Sequence, residues 1–244
     1  MPVALITGAS SGIGAAAARR FAAAGFDLLL LARRNGAIES LAAELRSAHH
    51  GRIETAGIDL NDPAAIATGF AELCGRGLLP SVLINNAGAA WTGPLADMPL
   101  ERWQWLFQLN VTSVFQICQL VLPLMRAQEH DGQRSGGGLI INVSSHAARN
   151  AFPDWGAYCA SKAALQAFSR CLAIEEREHG IRVSTLTLGS VNTPLWDSET
   201  VHSSFDRRAM LPVEQAAEAL LALAQQPSSQ VVEDLTLMPA AGAF

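Results

Sequence analysis

The stretch Thr7-Gly8-Ala9-Ser10-Ser11-Gly12-Ile13-Gly14 decides the fold, because it joins a short apolar segment to an alanine-rich one. Glycines in such a turn let the backbone bend sharply and bring its N–H groups close to a pyrophosphate, while the helix that follows offers a partial positive charge. The order of strand, glycine loop and helix therefore predicts a dinucleotide site. An ordinary strand-to-helix loop is the alternative interpretation.

Short β-rich segments alternate with longer helical ones along the whole chain. The predicted strands are residues 3–7, 26–32, 52–58, 82–85, 138–144, 182–188 and 234–238. The predicted helices are residues 14–24, 37–48, 63–74, 100–125, 157–178 and 213–224, with Gly25 and Gly180 as C-terminal caps. This alternation predicts one Rossmann-type α/β domain over residues 1–244. Its doubly wound parallel sheet has about seven strands, helices on both faces, and the ligand at the carboxyl ends of the strands.

Composition excludes several classes of protein. Half of the 244 residues are apolar, which excludes a disordered chain, and 22 acidic against 17 basic residues argue against a nucleic-acid partner. Uninterrupted apolar stretches fall short of the roughly 20 residues of a membrane helix, and the first residues do not resemble a signal peptide. We therefore expect a cytoplasmic protein without a membrane partner. The four cysteines form no CxxC pair, so we expect neither a disulfide nor a metal site.

The second predicted strand ends at Ala32 and is followed by Arg33 and Arg34. In a doubly wound nucleotide fold this position faces the adenosine ribose, where an acid binds the 2′-hydroxyl of NAD and an arginine pairs with the 2′-phosphate of NADP. Because no acid stands here, we predict NADP as the cofactor, with Arg33 as the main contact and Arg34 as a second; NAD is the weaker alternative. Two solvated arginines in a turn are the competing interpretation.

A second group of candidate residues lies further along the chain. Tyr158, the only tyrosine, and Lys162 are four residues apart on a predicted helix, so their side chains share a face. The ammonium is expected to lower the pKa of the phenol, which makes Tyr158 a proton donor and acceptor. Ser145 follows a predicted strand at its carboxyl end, where ligand-binding groups converge. Alone, this Tyr-Lys spacing is more typical of a solvated helix face.

Together these motifs resemble those of the short-chain dehydrogenases/reductases. The family's Thr-Gly-x-x-x-Gly-x-Gly loop matches residues 7–14, its Asn-Asn-Ala-Gly motif matches residues 85–88, and its Tyr-x-x-x-Lys motif matches Tyr158 and Lys162. The motifs are collinear from end to end. The resemblance implies a nicotinamide-dependent oxidoreductase that interconverts a small-molecule alcohol and a carbonyl compound by hydride transfer.

The resemblance also implies roles for single residues. The implied catalytic residues are Asn110, Ser145, Tyr158 and Lys162. Tyr158 is the general acid for carbonyl reduction, or the base for alcohol oxidation, and Ser145 holds the substrate oxygen. Lys162 binds the nicotinamide ribose and depresses the pKa of the tyrosine, and the Asn110 backbone positions a relay water. The implied cofactor contacts, besides Tyr158 and Lys162, are Gly8, Ser10, Ser11, Gly12, Ile13, Gly14, Arg33, Arg34, Asp59 (adenine), Leu60, Asn86, Ala87, Gly88, Gly189, Val191 and Thr193 (carboxamide).

Two positions depart from the family pattern. Leu188 precedes Gly189 where the family usually has proline, and Ser11 stands where many NADP-preferring members carry a basic residue. The prediction of NADP therefore depends on the two arginines after the second strand.

The predicted substrate pocket is mostly apolar. Its candidate lining residues are Trp91, His146, Arg149, Phe152, Trp155, Leu195 and Trp196. Arg149 is a candidate partner for a substrate carboxylate, or simply a solvated surface arginine, and His146 is expected at the pocket rim. The polar segment 195–211 lacks periodicity and is predicted to form a lid over the pocket.

The helices over residues 100–125 and 157–178 carry more apolar residues than one sheet-facing stripe requires. We therefore predict a homodimer or homotetramer formed through these helices. Two other functions remain open: a reductase of carrier-bound 3-oxoacyl groups, which the sparse basic residues near the lid disfavour, and a non-catalytic NADP-binding sensor, which has no need of a phenol and an ammonium together.

Overall fold

The computed structural model describes residues 1–128 and 137–242 and contains one sheet. Its strands are β1 (Val3–Thr7), β2 (Asp27–Ala32), β3 (Ile53–Gly57), β4 (Val82–Asn85), β5 (Gly138–Ser145), β6 (Ile181–Leu188) and β7 (Asp234–Leu237). All neighbouring strands are parallel, in the order β3-β2-β1-β4-β5-β6-β7. The predicted doubly wound sheet of seven strands is therefore confirmed. The order reverses between β1 and β4, and such a switch point opens a crevice at the carboxyl ends of the strands.

Helices cover both faces of the sheet. They are α1 (Gly12–Ala23), α2 (Asn35–Ala48), α3 (Pro63–Cys74), α4 (Leu100–Phe107), α5 (Ser113–Arg126), α6 (Gly156–Glu175) and α7 (Val213–Ala224). One apolar core packs α1, α2 and α7 against the sheet, and the other packs α3, α5 and α6 against the opposite face. Because both faces are covered, β1 and β2 are buried along their full length and read as continuous apolar runs.

Two predicted helices differ from the observed ones. The predicted helix 100–125 is a continuous helical segment interrupted by a π turn at Gln108–Thr112, which separates α4 from α5. The predicted helix 157–178 ends earlier, because α6 stops at Glu175 and a short 3-10 turn, Arg177–His179, follows. The caps were placed correctly, since Gly25 and Gly180 have φ of +84° and +68°, a backbone conformation that glycine adopts without strain.

The segment Leu100–Arg126 is 27 residues long and apolar enough to cross a membrane by length and composition alone. Polar residues interrupt its apolar ones, so the criterion of uninterrupted apolar stretches does not identify it. A helix of a protein core meets the same criteria. The α5 part of this segment packs on the sheet with Val114, Ile117, Val121 and Met125 in the core. Its apolar character is therefore explained by packing within the domain.

Candidate active site

The glycine loop is tied to the end of β4 by the hydroxyl of Thr7. Its Oγ1 accepts hydrogen bonds from the backbone N–H groups of Asn86 and Ala87, each at 3.0 Å, and the Asn86 amide donates to Thr7 O at 2.9 Å. Gly8 has φ of +67°, and a Cβ on Gly14 would lie 2.3 Å from the Gly8 carbonyl oxygen. Both positions therefore require glycine, and the loop presents backbone at the switch point of the sheet.

The predicted adenosine contacts lie on the outer side of this loop. Arg33 and Arg34 are exposed after β2, and Arg34 Nη2 donates to Ser10 Oγ at 3.4 Å. Asp59 Oδ1 accepts from the Asn61 N–H at 2.9 Å. Leu60 buries its side chain in the core, so only its backbone is available to a ligand. An outer groove is lined in part by Ser10, Ser11 and Gly12.

A cavity of about 160 Å³ opens at the carboxyl ends of β4, β5 and β6. The predicted cofactor and catalytic residues that line it are Ile13, Asn86, Gly88, Ser145, Tyr158, Lys162, Gly189, Val191 and Thr193. The hydroxyls of Ser144 and Ser190 also lie at this cavity, and both are buried without a hydrogen-bond partner within the described residues. Because buried polar groups are normally paired, these two hydroxyls are suited to a polar ligand.

Tyr158 and Lys162 lie one helical turn apart on α6. Lys162, the only lysine of the sequence, is 5% exposed; its Nζ donates to Val143 O at 2.9 Å and lies 5.8 Å from the centre of the Tyr158 ring. Burial raises the pKa of Tyr158 to about 12, although a hydrogen bond with Ser145 opposes the rise, and burial lowers the pKa of Lys162 to about 8. The expected fall in the pKa of the phenol is thus wrong for this structure, since desolvation by burial outweighs the hydrogen bond with Ser145.

The π turn explains the position of Asn110. Its side chain is 1% exposed and bridges two segments: Oδ1 accepts from Ala89 N at 3.0 Å, and Nδ2 donates to Ala89 O and to Ser161 Oγ, each at 3.0 Å. The amide therefore fastens the α4–α5 segment to the loop after β4 and to α6. A π turn in a helix is frequently found at functional sites. The sequence pattern identified the residue but gave no signal for the turn.

Aromatic side chains form the outer wall of the cavity. His146, Phe152, Trp155, Leu195 and Trp196 line it as predicted, and Phe205 joins them. Phe205 was missed because it lies in a segment without periodicity.

Two predicted pocket residues lie elsewhere. Trp91 is not part of the cavity lining. The Arg149 guanidinium also lies outside it and pairs with Asp234 on β7 at 2.5 Å, with a further contact to Thr236. As a candidate partner for a substrate carboxylate, Arg149 is therefore misplaced, because a carboxylate of the protein already satisfies it.

The predicted lid segment 195–211 is hydrogen-bonded to the rest of the protein through Thr200, His202 and Arg207. Thr200 Oγ1 donates to Ala90 O at 2.8 Å, and the His202 N–H donates to Thr92 Oγ1 at 2.8 Å. Arg207 Nη1 lies 2.9 Å from Asp197 Oδ1, and its Nη2 donates to Thr193 O at 3.1 Å. The segment is thus bonded to the loop after β4 and to the loop that carries Thr193.

Comparison with known proteins decides the family. The family model described as short chain dehydrogenase matches residues 2–203. The chain belongs to this family. It is therefore an oxidoreductase, and the glycine loop, the Asn85–Gly88 segment and the Tyr158–Lys162 pair occupy one cavity edge, as the resemblance implied.

Relatives of similar length carry different names. The chain is 32% identical to sulfoacetaldehyde reductase 2 of Chromohalobacter salexigens, over 97% of this chain and 94% of the relative. It is 30% identical to serine 3-dehydrogenase of Agrobacterium fabrum, over 98% and 94%.

Solved structures agree in fold. A metagenomic short-chain oxidoreductase in complex with NADP superposes with a TM-score of 0.83 at 30% identity, covering 98% of this chain and 97% of that one. An alcohol dehydrogenase of Thermococcus sibiricus, complexed with 5-hydroxy-NADP, gives 0.89 at 26% identity, covering 100% and 99%.

Proposed function

We propose that this short chain dehydrogenase is an NADP(H)-dependent enzyme that interconverts a small-molecule alcohol and a carbonyl compound, with Tyr158 as the general acid and base. The observation that carries the proposal is the meeting of Ser145, Tyr158 and Lys162 at one cavity that also reaches Ile13 and Thr193 beside the glycine loop. A phenol and an ammonium buried together are costly for a protein that only binds a nucleotide.

When bound, the nicotinamide of the cofactor supplies or accepts a hydride. In the reductive direction the bound cofactor would supply the hydride to the carbonyl carbon, and Tyr158 would deliver its phenolic proton to the carbonyl oxygen to give the alcohol. Ser145 donates a hydrogen bond to the same oxygen and orients it toward the phenol. Lys162 binds the ribose hydroxyls and, once its ammonium has partners there, stabilises the phenolate that remains. The Asn110 side chain fixes the segment whose backbone holds a relay water.

The preference for NADP is assigned to Arg33 and Arg34. Both follow β2 without an acidic neighbour, both are exposed, and Arg34 already contacts Ser10 of the glycine loop. A 2′-phosphate at this corner meets two guanidinium groups and a serine hydroxyl, whereas the 2′-hydroxyl of NAD meets no carboxylate. The two solved structures named above were determined with NADP or a derivative of it, which supports the same preference.

The test is a fluorescence titration with NADPH and NADH, followed by NADPH consumption against aldehydes and ketones. We expect tighter binding of NADPH and turnover of at least one carbonyl compound. Arg33→Ala should weaken NADPH by about tenfold, the value of one charge-assisted hydrogen bond, and leave NADH unchanged. Equal affinity for both dinucleotides would refute the assignment of the arginines, and failure to bind either would refute the function.

We also propose that the protein forms a dimer or tetramer through α4, α5 and α6. Phe115 on α5 is 44% exposed and stacks edge-on against Phe168 of α6, and Ile174 on α6 is 68% exposed. Apolar side chains grouped on neighbouring helices favour a buried contact. Sedimentation of the protein at micromolar concentration should give twice or four times the mass of the chain, and a monomer there would contradict the proposal.

A further inference from the structure

A chain of aromatic rings leads outward from the catalytic phenol. The centre of the Trp155 ring lies 5.6 Å from that of Tyr158, Trp196 lies 5.6 Å from Trp155, and Phe205 lies 5.6 Å from Trp196. The angles between the ring planes are 70°, 58° and 62°, so the first and last pairs meet edge to face and the Trp155–Trp196 pair is tilted. These three residues, Trp155, Trp196 and Phe205, form the aromatic wall of the cavity.

The indole ring of Trp196 is fixed by a hydrogen bond inside the protein. Its N–H donates to Val191 O at 2.8 Å, which leaves the carbon surface of the ring for contact. Phe152 and Leu195 extend the apolar lining beside it. A wall made mostly of carbon atoms gains most free energy from burying an apolar group.

Charge is nearly absent from the same lining. Among the described residues that line the cavity there is no arginine, aspartate or glutamate, and the one lysine, Lys162, lies at the catalytic end. The two nearby arginines are engaged: Arg149 with Asp234, and Arg207 with Asp197 and Thr193 O. At the aromatic wall, a substrate carboxylate, sulfonate or ammonium would therefore be desolvated without a guanidinium or carboxylate partner, which is strongly unfavourable.

We propose that the substrate is an uncharged aldehyde or ketone with an aromatic or bulky apolar group, held against the aromatic wall while its oxygen lies at Ser145 and Tyr158. The inference rests on the proposed function and names its substrate class. It separates this chain from an enzyme for substrates that carry charged groups, to which the names of two relatives would otherwise point.

A matched series of aldehydes R–CH2–CHO tests the substrate class, because only R changes. With NADPH at saturation, we expect kcat/KM for R = phenyl and R = cyclohexyl to exceed that for R = sulfonate and R = trimethylammonium by at least about tenfold, equivalent to ~1.4 kcal/mol. Turnover that is highest for either charged aldehyde would overturn the inference and leave the proposed function intact.

Binding of 2-phenylethanol to the protein loaded with NADP, followed by saturation-transfer NMR, separates the two failures. Binding without turnover of any aldehyde or ketone would support the aromatic wall and refute the proposed function. No binding of 2-phenylethanol would overturn the inference, whatever the aldehyde assay gives.

A substitution in the aromatic wall tests whether the preference for apolar aldehydes arises there. Trp196→Leu should lower kcat/KM for phenylacetaldehyde at least fivefold relative to propanal, since about 1 kcal/mol of aromatic contact is lost, and Trp196→Phe should restore part of it. Trp103→Leu is the matched control, because Trp103 lies on α4 outside the cavity lining and stacks with Phe107. An unchanged ratio in Trp196→Leu, or an equal fall in Trp103→Leu, would overturn the inference.

Discussion

The two ends of the cavity are built differently. At the cofactor end, neighbouring strand termini supply backbone: Gly8 and Gly14 follow β1, and Thr7 ties them to Asn86 after β4. At the substrate end, side chains from segments far apart in the sequence meet, such as Trp155 before α6 and Phe205 in the lid segment. The backbone of the glycine loop tolerates few substitutions, whereas each side chain at the substrate end can be replaced individually. If the proposed function is correct, the fold determines how the cofactor is held, and a few replaceable side chains determine the substrate.

The two ends of the cavity meet at Tyr158, and substitution of this residue should have the largest effect on kcat. Tyr158→Phe keeps the ring against Trp155 but removes the proton, so we expect kcat to fall by at least ~100-fold while the affinity for NADPH changes little. Steady-state kinetics and a fluorescence titration on the same protein measure both quantities. Retention of most of the wild-type kcat would show that another group delivers the proton.

The rigidity of the cofactor end is tested at Gly14. A Cβ there would lie 2.3 Å from the Gly8 carbonyl oxygen and 2.6 Å from Asn86 Nδ2, so Gly14→Ala must displace the loop backbone. We expect the affinity for NADPH to fall about tenfold or more, in keeping with the ~1–3 kcal/mol cost of overpacking. Gly36→Ala is the control, since nothing lies within 4 Å of its added Cβ. Equal effects of the two substitutions would mean that the loop is as adaptable as the substrate wall.

The buried ammonium should cost the protein stability. Burial lowers the pKa of Lys162 to about 8 from the ordinary 10.5, so the folded state binds fewer protons than the unfolded state between these values, and its stability rises with pH there. Lys162→Met removes the penalty and should raise the free energy of unfolding by about 1 kcal/mol at pH 7, after the lost bond to Val143 O is offset.

This advantage of Lys162→Met should be present in full below pH 8 and be lost between pH 8 and 10.5. Urea unfolding of both proteins at several pH values measures it. A variant that is less stable than the wild type at every pH would show that the ammonium stabilises the fold.

The smallest effect is expected at the lid segment. Thr200→Val removes the hydroxyl that donates to Ala90 O but keeps the side-chain volume, at a cost of about 1 kcal/mol for one hydrogen bond. We expect faster limited proteolysis within residues 195–211 and a severalfold higher KM for the carbonyl substrate, with the affinity for NADPH unchanged. A higher Kd for NADPH with an unaltered KM would assign the segment to the cofactor end instead.

The difference between the two ends of the cavity also explains which features the sequence could predict. The glycine loop, the strands and the Tyr158–Lys162 spacing are local patterns, and each follows from periodicity or from a backbone requirement at one position. No local pattern predicts the π turn at Gln108–Thr112, because the turn accompanies the hydrogen bonds that Asn110 makes to Ala89 and Ser161, which are distant in the sequence.

Long-range pairing accounts for the remaining errors. Arg149 is satisfied by Asp234, which follows it by 85 residues, so no local signal marks it as engaged. The pKa of Tyr158 depends on burial by the assembled cavity, which spacing along one helix does not reveal. Sequence patterns thus predicted which residue types form the site, whereas the charge pairing and the pKa values there depend on the folded structure.

The proposed catalytic pair consists of the only tyrosine and the only lysine in the chain. Protein carrying isotope-labelled tyrosine would therefore show a single tyrosine ring system, and protein carrying labelled lysine a single side-chain amine, without any assignment experiment. The protonation of each group can be followed separately while cofactor or substrate is added. Labelling one type of amino acid at a time therefore observes either the proposed acid or the cation beside it.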